Sequence, residues 1–120
     1  KYCAGYQYDD KTIVGFSHTH FSGTGHSDLG DFLVMPTTGV LQLNPGTEEK
    51  PETGYRSRFS HATEVAEPGY YKVKLEDHNI LAEFTTSQRT GFHQYTFPVT
   101  EEAHIILDLI AGIYNYEDKN

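Results

Sequence analysis

An antiparallel all-β domain, most simply a sandwich, is what this sequence predicts, and three observations lead there. The abundant aromatics, 9 Tyr and 7 Phe, stand mostly in short segments whose apolar residues recur with period two rather than helical period. Clusters of Gly, Pro, Asn, Asp and Ser separate those segments, and these are turn residues. One stretch, "YYKVKLEDHNILAEFTTS", reads as a complete β-hairpin.

Taken in order, "KTIVGF" (Lys11–Phe16) and "DFLVMP" (Asp31–Pro36) are rich in strand formers, and "TGVLQLN" (Thr38–Asn44) follows a break at Pro36. Residues 44–69 change character. They carry three prolines, five glutamates and no sustained period, so they read as a long excursion between strands. Within it "SHATEVAE" (Ser60–Glu67) is suited to a helical turn capped by Ser60. In the hairpin, Tyr71, Val73 and Leu75 alternate with Lys72 and Lys74, giving one buried and one wet face. "EDHN" (Glu76–Asn79) supplies the turn, and Ile80, Ala82 and Phe84 resume the alternation. "GFHQYTFPV" forms a further strand ended by Pro98, which cannot donate to a sheet ladder. "HIILDL" forms the last, with Ile105, Leu107 and Leu109 expected to point inward on the same alternation.

At 120 residues the chain is one domain or part of one. Lys plus Arg is 9 against 17 for Asp plus Glu, a formal net charge of −8. That balance argues against nucleic acid and anionic membrane as partners, since both are held by clustered cations. Neutral ligands such as sugars are unaffected. The single cysteine, Cys3, excludes an internal disulfide, and no apolar run approaches the roughly 20 residues of a membrane helix. The polar, aromatic start lacks an initiating Met and does not resemble a signal peptide, so a fragment or processed product is expected.

The segment "GFSHTHFSGTGHSDLGD" (Gly15–Asp31) gathers three histidines, four glycines, five hydroxyl residues and two aspartates. His18 and His20 are two apart, so on a strand their rings project from one face, with His26, Asp28 and Asp31 nearby as further ligand types. The H-x-H pattern is short, however, and matches no zinc framework of His or Cys. A phosphate loop fits less well, because no G-K-[ST] follows and the next element is a strand. Recognition of a polyol remains. Ser22, Thr24, Asp28, Asp31 and the histidines are short donors and acceptors, and Gly23 and Gly25 let backbone approach a ligand. Against it stands a plain polar turn between strands. The second polar group, "YRSRFSH" (Tyr55–His61), holds Arg56 and Arg58. They suit an Arg–carboxylate clamp, on Asp28 or Asp31 or on another domain, or else a solvated charged face.

The blocks "GFSHTHFSGTG", "GDFLVMPTTG", "YRSRFSH", "EVAEPGYYKVKL" and "RTGFHQYTFP", in this order from about Asp10 to Leu109, resemble the N-terminal domain of glycoside hydrolase family 92. That resemblance implies a calcium-dependent exo-α-mannosidase of the α-1,2 type, periplasmic, secreted or cell-surface in a bacterium, acting on mannose-containing glycans with inversion. It implies that residues 1–120 form part of an N-terminal β-sandwich domain packed against a C-terminal helical barrel that this chain does not contain. The general acid, the general base and the calcium ligands belong mainly to that barrel, so no catalytic or metal-ligating residue is assigned here. The residues then expected at substrate or at the partner domain are His18, His20, Ser22, Gly23, Thr24, Gly25, Asp28, Asp31, Arg56 and Arg58. His26 and Ser27 depart from the family's pattern, and with no tryptophan present any sugar stacking falls to Tyr or Phe. A stand-alone carbohydrate-binding sandwich module is the alternative from a different functional class.

Overall fold

A computed structural model describes residues 8–17 and 32–109, and its strands are all antiparallel. Eight strands follow one another: β1 (Thr12–Ile13), β2 (Leu33–Thr38), β3 (Ser57–Arg58), β4 (Val65–Glu67), β5 (Tyr70–Leu75), β6 (Ile80–Thr86), β7 (Gly91–Thr96) and β8 (Ala103–Asp108). Strands β4-β5-β6-β7 form a four-stranded meander, while β2 pairs with β8 and β1 with β3. The fold is an all-β, sandwich-like fragment, as the period-two pattern predicts.

The hairpin register places Val73 opposite Ala82 and Leu75 opposite Ile80, and all four are buried. Phe84 is buried on the same face and Tyr71 half-buried beside it. Asn79 closes the turn with φ of 53°, a left-handed conformation that Asn tolerates better than most residues. The inward face of the meander packs on Met35 of β2 and on Ile13, Phe16, Tyr55 and Ile106, so the core lies between two layers.

Three expectations need correction. Strand β2 does not stop before Pro36 but runs through it to Thr38. Val34 exchanges both backbone bonds with Phe16, at 2.9 and 3.0 Å. By alternation Pro36 also turns that side away from β8, so its missing N–H costs the β2–β8 ladder nothing. In "SHATEVAE" the cap is as expected, with Ser60 accepting from the Ala62 N–H, but the turn is a short 3₁₀ helix (His61–Thr63) and Val65–Glu67 joins the sheet as β4. In β8 the inward residues are His104, Ile106 and Asp108, one position out of phase with the expected Ile105, Leu107 and Leu109, which are exposed. The reason is pairing. Ile106 stands opposite the buried Met35, Asp108 accepts from the Tyr55 hydroxyl at 3.0 Å, and His104 Nε2 lies 3.2 Å from the Gly39 carbonyl oxygen.

Candidate functional site

His18, His20, Ser22, Gly23, Thr24, Gly25, Asp28 and Asp31, like His26, lie outside the described residues. Both flanks of their segment are described. Phe16 on one side and Val34 on the other form an antiparallel bridge. Phe16 is anchored in turn by packing on Phe84, ring centroids 4.3 Å apart. Gly15 permits the close approach, since a Cβ there would come within 3.1 Å of Leu33 Cβ. The sequence therefore fixes both described flanks of its most polar segment.

Arg58 and Arg56 are placed, and they do different things. On β3, Arg58 grips Asp77 of the β5–β6 turn through Nη2 at 2.8 Å and Nε at 3.1 Å, while its backbone N–H donates to the same carboxylate at 2.7 Å. Partial burial pushes the Asp77 carboxyl up, but the side-chain and backbone hydrogen bonds from Arg58 and its charge prevail and hold it below the usual carboxylate range. The partner expected for "YRSRFSH" was Asp28, Asp31 or another domain; Arg58 instead pairs with Asp77 of this chain. Arg56 is half-buried, donating through Nε to the Pro45 carbonyl at 3.3 Å and through Nη1 to Thr12 Oγ1 at 3.2 Å. Desolvation lowers its pKa while the charge of Glu48 opposes that shift. It fastens the long excursion to β1.

Arg56 and Asp77 also line an open groove of about 240 Å³, together with Thr37, Thr38, Gln42 and His78. His78 Nε2 faces the Tyr55 carbonyl oxygen at 3.0 Å and so donates to it. Its Nδ1 then accepts from the Thr38 N–H at 3.3 Å, which assigns the neutral Nε2–H tautomer. The ring ties the end of β2 to the β5–β6 turn, and the groove mixes polar walls with Val40, Pro51 and Tyr55.

A second cluster was not singled out by the sequence reading. His61 Nδ1 faces Glu64 Oε1 at 2.9 Å and its Nε2 faces the Tyr8 carbonyl oxygen at 2.7 Å. Both partners are acceptors, so both ring nitrogens donate and the ring is an imidazolium. The Tyr8 ring stacks on it, centroids 3.9 Å apart and 1° from parallel, and Phe59 meets it edge-on. Glu64 also accepts from the Tyr71 hydroxyl. The hydrogen bond to Glu64, then that to Tyr8, with the charges of Glu64 and Asp9, raises the His61 pKa against a smaller desolvation. The i, i+3 spacing of His61 and Glu64 within "SHATE" was the available signal.

Among the described residues no three His, Cys, Asp or Glu side chains gather as metal ligands. Calcium takes six to eight oxygens, as a rule, so these residues do not fit it. Several described carboxylates are engaged in fold contacts, among them Asp77 with Arg58, Glu64 with His61 and Asp108 with Tyr55.

The model of the glycosyl hydrolase family 92 N-terminal domain matches residues 1–120. Two solved structures of the family GH92 alpha-mannosidase BT3965 from Bacteroides thetaiotaomicron resemble the fold. One is in complex with mannoimidazole, at TM-score 0.86 and 48% identity over 90% of this chain. The other aligns at TM-score 0.89 and 47% identity over 93% of it. An uncharacterized secreted glycosidase of Arthroderma benhamiae is 31% identical over 78% of the chain. The chain spans only 14% and 15% of the length of the two solved chains, and 12% of the Arthroderma protein. With a family match over its whole length and an antiparallel arrangement shared with an α-mannosidase at nearly half identity, this chain belongs to the N-terminal domain family of glycosyl hydrolase family 92.

Proposed function

We propose that the chain is the N-terminal sandwich domain of a secreted exo-α-mannosidase that removes terminal α-1,2-linked mannose with inversion. In this reading the domain forms a wall of the pocket, and a C-terminal helical barrel supplies the catalytic carboxylates and the calcium ligands. Inversion needs an acid and a base far enough apart to admit a water, roughly 6.5–9.5 Å. The observation that carries the reading is the 48% identity, over 90% of this chain, to an α-mannosidase solved with mannoimidazole. The division of labour is supported by the described carboxylates, several of which are committed to fold contacts.

The segment holding His18, His20, Ser22, Gly23, Thr24, Gly25, Asp28 and Asp31 is proposed to meet sugar or the barrel, presented by the Phe16–Val34 base. In the full-length enzyme, His18→Ala and His20→Ala should each lower mannose release from α-1,2-mannobiose while leaving the melting temperature unchanged. Unchanged turnover in both variants would reduce the segment to a turn.

A further inference from the structure

Two attachments hold the Tyr8 end of the described chain to the His61–Thr63 turn, and both run through one ring. The Tyr8 carbonyl oxygen lies 2.7 Å from His61 Nε2, and the Tyr8 ring lies flat on the imidazole, centroids 3.9 Å apart. Each depends on the same proton. An imidazolium donates to that carbonyl and attracts the aromatic face as a cation, whereas a neutral ring has a single N–H to give.

Which contact a neutral ring keeps follows from its two acceptors. Glu64 is an ion whose side chain is only 8% exposed, and it also accepts from the Tyr71 hydroxyl. Losing the His61 donor would leave that desolvated carboxylate facing a lone pair, which is costly. Tyr8 is 67% exposed, so its carbonyl can turn to water instead. The N–H therefore stays on Nδ1, the Nε2 lone pair is left against the Tyr8 oxygen, and that end parts. Parting stops at Lys11, where the Phe59 N–H donates to the Lys11 carbonyl at 3.4 Å and β1 begins to pair with β3. The other titratable groups around the ring are Asp9 beside Tyr8 and Tyr71 on β5, while Phe59 supplies an apolar edge.

We infer that His61 is a proton-operated clasp, which holds residues 8–10 against the His61–Thr63 turn when protonated and frees them, and only them, in mild alkali. The hydrogen bonds to Glu64 and Tyr8 raise the pKa of the ring, so release falls above 6.5. Mannose release plays no part in the clasp, which stands or falls apart from the proposed function.

Chymotryptic cleavage after Tyr8 in the full-length protein tests it. The product is followed by mass spectrometry, and each rate is divided by that of a free peptide of residues 4–13 at the same pH. The protein-to-peptide ratio should rise at least roughly tenfold from about pH 6 to about pH 9, since cleavage in a folded chain waits on local opening. In His61→Gln, which cannot titrate, the ratio should be equal at both ends. In Glu64→Gln, whose neutral amide favours the imidazolium less, the rise should move to lower pH. A flat ratio in the full-length protein, a rise of equal size in His61→Gln or an unmoved rise in Glu64→Gln would each overturn the clasp. So would cleavage after Tyr71 of β5 that rises in parallel, because it would mark opening of the whole domain.

Discussion

His61 and Asp77 respond to pH in opposite directions, and the sign follows from their partners. His61 gains two acceptors on folding, so its folded pKa lies above the ordinary 6.5. Its contribution to stability is complete below that value and is lost as pH rises through the raised pKa. Asp77 gains Arg58, so its folded pKa lies below 3.8. Its contribution is present above 3.8 and is lost as pH falls through the lowered value. Thermal melts of the full-length protein and of His61→Gln should therefore differ most below pH 6.5 and converge in mild alkali. A gap that widens with alkali would mean the ring is neutral. Arg58→Ala should show the reverse, losing its deficit only in strong acid. Tyr95, pushed up to about 12 by burial, remains a hydroxyl throughout.

At the scale of elements, the β5–β6 hairpin was fully legible because its apolar alternation, turn residues and length agree with one another. Leu75 and Ile80 pair across it in complete burial, so Leu75→Ala should cost about 2–5 kcal/mol by chemical denaturation. Strand β8 was legible as a strand but not in its facing. Both of its parities carry apolar residues, so counting them favours Ile105, Leu107 and Leu109. The choice is made instead by His104 and Asp108, whose partners Gly39 and Tyr55 lie 65 and 53 residues away in sequence. No local pattern encodes a partner at that distance. The same limit hid the Arg58–Asp77 clamp, whose two halves are separated by 19 residues. The excursion between β2 and β3 shows a third kind of hidden constraint. A Cβ on Gly54 would lie 2.0 Å from the Gly46 nitrogen, so Gly54→Ala should destabilise by more than the usual surface substitution. Equal melting temperatures for wild type and variant would show that the excursion can open there freely.

At the scale of the whole molecule, the proposed reading makes this acidic chain of 120 residues an assistant to catalysis rather than its agent. On that reading the isolated chain should release no mannose from α-1,2-mannobiose with or without calcium, because the acid and base would be supplied by the barrel. Calcium-stimulated turnover by the pure chain would refute this. The candidate segment stands out in the sequence through its concentration of Gly, His and hydroxyl residues, which lie outside the described residues. Its support was not legible there, because the Phe16–Val34 bridge and the packing of Phe16 on Phe84 join residues distant in sequence.

That bridge also bears on how such a domain diversifies. Because Phe16 and Val34 are held together by their own backbone bonds, the chain between them carries a closure cost set by its length. Closure entropy grows only logarithmically with length, so doubling such a loop costs only about 0.6 kcal/mol. On the proposed reading, a library confined to residues 18–31 would ask how far the segment can be lengthened or rewritten for other glycans while the Phe16–Val34 bridge holds. Substitutions at Phe16 or Val34 enjoy no such freedom.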